Sequence, residues 1–116
     1  MVTVDDVRQV ALQLPRTTEH LIHDRVKFRV KQIVYVAFSR DETVMGFAFP
    51  KEQRQGLVDS QPDKFQLPGT SDMRYHWVDV RTDALDVEEM CELVTDAWTM
   101  VVPKYVAREY FESRGS

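Results

Sequence analysis

The sequence predicts an α+β fold, a two-layer sandwich in which helices from both ends of the chain cover one face of an antiparallel sheet. Three observations carry this expectation. A capped amphipathic segment opens the chain and a longer one begins at Asp86. Between them, three β-rich runs are separated only by short polar stretches, which reads as successive hairpins and antiparallel pairing. One domain spans residues 1–116, and a chain of this length buries enough surface to fold without disulfides.

Each element has a local cause. In the first helix Thr3 caps, Asp6 stands three residues on as in a capping box, and Val2 can staple to Val7. Val4, Val7, Val10, Ala11 and Leu14 form its apolar stripe, and Pro15 marks its end. "RTTEHLIHD" shows no clear period and reads as a loop. Three strands follow, at 25–31, 33–39 and 43–50, as successive hairpins. The preferred register puts Val26, Phe28, Val30, Val34, Val36, Phe38, Met45, Phe47 and Phe49 on the core face. Arg25, Lys27, Arg29, Tyr35, Ala37, Val44, Gly46 and Ala48 then share the other face, because this register separates charge from apolar bulk.

Residues 50–60 read as a short helix that starts at a proline, is weakened by Gly56 and stops at Pro62. "FQLPGTSD" is a strand end or loop. Residues 73–83 are a β segment whose mixed alternation leaves the orientations of Trp77 and Val78 open. The last long helix has Asp86 as cap, Glu89 three residues on, Leu85 stapling to Met90, and an apolar stripe running through Val94, Ala97 and Trp98. Pro103 restarts it as a second helical piece.

Composition narrows the function classes. Fifteen Lys and Arg against nineteen Asp and Glu leave a net charge of −4, which repels a polyanion at long range. The charge is uneven: residues 16–31 carry five cations and two carboxylates, and residues 83–96 carry six carboxylates and no cation. A single cysteine, Cys91, makes no internal disulfide, and the acidic N-terminus does not resemble a signal peptide, so the expected location is the cytoplasm, with no membrane partner. Cys91, Met90 and Trp98 fall on the helical stripe and read as core. The carboxylates after Asp83 suit a helix N-terminus and a solvated face. No G-x-S-x-G, Walker-type, G-x-G-x-x-G or H-E-x-x-H motif occurs, so the expectation is a non-enzymatic protein without a cofactor.

"RVKFRVK" at 25–31 is the stretch that points to a partner. As a strand it aligns Arg25, Lys27, Arg29 and Lys31 on one side and Val26, Phe28 and Val30 on the other. Such a row contacts phosphates, with Arg74 and His76 adding backbone contacts and Trp77 or Tyr35 offering a stacking surface. The competing explanation is a solvated face whose long side chains blunt an edge strand. His20, His23, Glu19 and Asp24 in "EHLIHD" are ligand types for zinc or manganese, but two histidines in a loop lack a second anchored pair, and no metal is expected.

Five segments together resemble the MmcQ/YjbR family: "ALQLPRTTEH" at 11–20, "VKFRV" at 26–30, "FAFPKEQ" at 47–53, "HWVDVRTDALD" at 76–86 and "AWTMVVPKY" at 97–105. The resemblance implies a CyaY-like (frataxin-like) sandwich and a DNA-binding role through a double-wing surface on the sheet. Family members usually carry a Gly-Lys pair at the first hairpin where this chain has Gln32 and Ile33, so any phosphate contact that the resemblance implies for that lysine does not carry over. The expected DNA-contacting residues are Arg25, Lys27, Arg29, Lys31, Arg74 and Trp77. The alternative is a protein-interaction or scaffold module, including a homo-oligomer that pairs through the sheet face or the acidic helix.

Overall fold

The structure, a computed structural model, describes residues 1–115. Helix α1 (Val4–Ala11) leads into strands β1 (Thr17–Ile22), β2 (Arg25–Val30), β3 (Ile33–Phe38) and β4 (Val44–Ala48). Helix α2 (Lys51–Ser60), the short strand β5 (Phe65–Gln66) and strand β6 (Trp77–Arg81) precede helices α3 (Val87–Thr99) and α4 (Lys104–Gly115). The six strands form one sheet in the order β1-β2-β3-β4-β6-β5, with every neighbouring pair antiparallel. This is the α+β class expected from the sequence.

The helix ends follow their caps. Thr3 and Asp6 exchange side-chain and backbone hydrogen bonds at the start of α1, and the Asp86 carboxylate accepts from the Glu89 backbone N–H at 2.8 Å at the start of α3. The apolar faces of α1 and α3 meet each other, and α3 lies on β3 and β4. Phe28, Val36, Phe38, Met45, Phe47, Val78 and Val80 rise from the covered side of the sheet to meet Val7, Met90, Val94 and Trp98. Trp98 is fully buried, and its indole N–H donates to the Pro15 carbonyl at 2.8 Å, which ties α3 to the chain leaving α1.

Two sequence expectations are corrected. Residues 17–22 are not a loop but the edge strand β1, paired with β2 from Thr17↔Val30 to Ile22↔Arg25. The His23-Asp24 turn that joins them has φ of 53° and 64° without a glycine, so the usual hairpin signal is absent. The second correction concerns register. Phe28 pairs with Val36 but Arg29 pairs with Val34, so a bulge leaves Tyr35 as the extra residue of β3. Tyr35 therefore points into the core, where its hydroxyl lies 2.8 Å from the Thr17 hydroxyl, and Val34 shares the open face with Arg29. Burial pushes the Tyr35 phenol up to about 12, opposed by the Thr17 hydrogen bond.

Candidate nucleic-acid interface

Strand alternation settles which side chains reach the uncovered face. Lys27 stands opposite His20 on β1 and Ala37 on β3, and Arg29 stands opposite Thr18 and Val34. Farther across, Gly46 pairs with Asp79 and Ala48 with Trp77. Trp77 thus faces outward and Val78 inward, which resolves the orientation that the sequence left open. Arg25, Lys27, Arg29 and Trp77 share one surface. Lys31 does not: β2 ends at Val30, and Lys31 sits in the exposed β2–β3 turn with φ 54°, beside the face rather than on it. Arg74 lies on the loop before β6 with its guanidinium 4.8 Å from the Tyr75 ring centre, a cation–π contact.

Among the described residues Arg25, Lys27 and Arg29 form no ion pair, although Asp79, on the same face, places its charge close enough to act on Arg25. The Arg25 Nε donates to the Phe38 carbonyl at 2.9 Å, an Arg29 Nη lies 3.3 Å from the His20 ring, and Lys27 has no ion-pair partner among the described residues. The Nε of Arg29 is buried and has no hydrogen-bond partner among the described residues. Glu19, two residues from Leu21 on β1, points to the opposite side and accepts a two-pronged hydrogen bond from Arg8 at 2.8 and 2.9 Å; that guanidinium holds its carboxyl below the usual range. The residues of "EHLIHD" are therefore divided between two faces and a turn rather than gathered around one point.

The face is concave because of side-chain size. Ala37, Gly46 and Ala48 are the outward residues at the centre of the sheet, flanked by Arg25 and Lys27 on one side and Trp77 on the other. The result is a cleft of about 640 Å³ between β2, β3, β4 and the loop that carries Asp72, Tyr75 and His76, with Met100 and Val101 after α3 also lining it. The Trp77 indole lies across Gly46: a Cβ there would be 2.5 Å from its Nε1 and 2.7 Å from Cε2 and Cζ2. Gly46→Ala is accordingly expected to push the indole outward, lower stability by about 1–3 kcal/mol and red-shift Trp emission, while Trp98 stays buried. Thermal unfolding and fluorescence spectra check both effects.

The loop bearing Tyr75 and His76 is fixed from helix α2. Arg54 is 7% exposed, and its guanidinium donates to the carbonyls of Met73, Tyr75 and Trp77. The His76 Nδ1 accepts from the backbone N–H of Lys51 at 2.9 Å and so serves one free donor of the first turn of α2. Arg54 was not singled out in the sequence, where a helical arginine reads as surface.

Asp79, half-buried on β6 beside Trp77, was also missed. Burial pushes its carboxyl up to about 6, helped by the Asp72 charge and opposed by Arg25 and Trp77. Its native value lies above the ordinary 3.8, so the folded state prefers the protonated form and loses stability as pH rises from about 4 through 6. Asp79→Asn is expected to raise the melting temperature at about pH 7.5 and to give no advantage at about pH 4, a difference that thermal melts at the two pH values would show.

A helix-backed antiparallel sheet with a cationic, tryptophan-bearing open face is thus the class of protein that the fold and the surface define. The YjbR family model matches residues 12–100, and the chain belongs to that family. Among solved structures it is similar to the crystal structure of Deinococcus radiodurans protein DR2400, which carries domain DUF419, with 23% identity, a TM-score of 0.75, and coverage of 94% of this chain and 88% of that one. At that identity the likeness shows the fold alone. No curated protein matches the chain.

Proposed function

We propose that the open sheet face binds DNA through its phosphate backbone and performs no catalysis. The observation that supports this reading most is that Lys27 and Arg29 are neighbours on one uncovered face and neither is neutralised by a carboxylate among the described residues. The acidic run supports it too. Glu88, Glu92 and Asp96 are exposed on α3, in the layer on the other side of the sheet, so these carboxylates stand away from Lys27 and Arg29. Because β1 lies outside β2, β2 is an interior strand and its cations do not blunt a sheet edge.

Labelled duplex DNA titrated by fluorescence anisotropy at two salt concentrations tests the proposal. Three phosphate contacts, from Arg25, Lys27 and Arg29, correspond to a log–log salt slope of about −2.7, or about 40-fold weaker binding at about 200 mM than at about 50 mM salt. Absence of binding at the lower salt contradicts the proposal.

A further inference from the structure

A row of cations accounts for backbone contacts but not for the cleft beside it. A flat cationic strand would suffice for phosphates, whereas this surface is hollowed at Ala37 and Ala48 and walled by the Trp77 indole and the Tyr75 ring. Its volume of about 640 Å³ lies within the range of about 300–1,000 Å³ typical of small-molecule sites. Charge is also divided across it. Arg25 and Lys27 line the β2 side, and Asp72 lines the facing loop. An occupant that matches both walls has an anionic group at one end, a planar body and a hydrogen-bond donor at the other.

We propose that the cleft holds one unpaired nucleotide, its base against Trp77, its phosphate at Arg25 and Lys27, and a base amino group donating to the Asp72 carboxylate. This deepens the DNA reading of the face and rests on it. In a duplex, stacking covers the ring faces and pairing engages the amino groups, so the cleft takes a nucleotide from a single strand or a free mononucleotide. Because thymine has no amino group, adenine is preferred over thymine. Arg29, turned toward His20 and outside the cleft, contacts the continuing backbone.

The two tryptophans make the test specific. Trp98 is fully buried in the core, so quenching by a stacked base reports Trp77. The protein is titrated with oligo(dA), oligo(dT), AMP and a blunt hairpin duplex, each followed by Trp fluorescence, and the duplex also by anisotropy. The expected result is strong quenching by oligo(dA), at least 5-fold weaker binding of oligo(dT), and anisotropy without quenching for the duplex. Quenching by AMP to the same extent at similar concentration identifies free nucleotide as the occupant; quenching by the strand alone identifies single-stranded DNA. Asp72 is exposed, so Asp72→Ala leaves the fold intact and is expected to abolish the dA-over-dT preference. Duplex binding with no quenching by any unpaired ligand overturns the cleft assignment and leaves the face reading standing. No binding in any arm overturns both.

Discussion

Replacing Lys27 and Arg29 together with glutamate is expected to weaken duplex binding at least about 100-fold at about 50 mM salt and to make the salt slope shallower by about 2. The size follows from counterion release: each lost phosphate contact removes about 0.9 from the slope, and at low salt each is worth about a factor of ten. Charge reversal adds repulsion to that loss. The double variant should remain folded, because Lys27 has no ion-pair partner among the described residues and Arg29 gives up only a long contact, 3.3 Å, to the His20 ring. A circular-dichroism melt run with the anisotropy titration separates lost contacts from lost structure. Binding unchanged in this variant removes the face as the DNA site.

Arg54→Ala is expected to have the largest effect on stability, about 3 kcal/mol, with a melting temperature lower by roughly 10 °C. One buried guanidinium serves the carbonyls of Met73, Tyr75 and Trp77, and alanine leaves all three without it. The loop that presents Tyr75 and His76 is held by the same contacts, so the variant should also lose quenching by unpaired bases while retaining salt-dependent duplex binding below its melting point. Arg54→Lys is expected to rescue little, since a single ammonium cannot span carbonyls that a planar fork reaches together. Thermal melts of the two variants check this; a lysine variant as stable as the parent contradicts the forked contact.

Much of the fold was legible because its causes are local. Thr3 and Asp86 act as caps where their spacing to Asp6 and Glu89 says they should, and the alternation in 25–30 matches the burial of Phe28 and Val30. What was hidden depends on partners distant in sequence. β1 was unreadable because its covered face carries Thr17 and Glu19, polar groups that become acceptable there only through Tyr35 and Arg8. The bulge at Tyr35 has no local signature, and it alone reverses the faces of Val34 and Tyr35.

The candidate site divides along the same line. Its cations were visible as a period of two. The hollow beside them was not, because it arises from small residues on two different strands, Ala37 on β3 and Gly46 and Ala48 on β4, brought side by side by pairing. Arg54 and Asp79 escaped notice for a related reason. Each looks like surface in the sequence, yet Arg54 is buried and Asp79 half-buried by elements that come from elsewhere in the chain.

The most direct test of the central claim, that the uncovered cationic face is the DNA site, is an amide and indole chemical-shift map of the isotope-labelled protein titrated with DNA at low salt. Perturbations are expected to concentrate on β2, on the loop around Tyr75 and at the Trp77 indole N–H, with the Trp98 indole unmoved. Perturbations confined to α1, α3 and α4, or none at any DNA concentration, would contradict it.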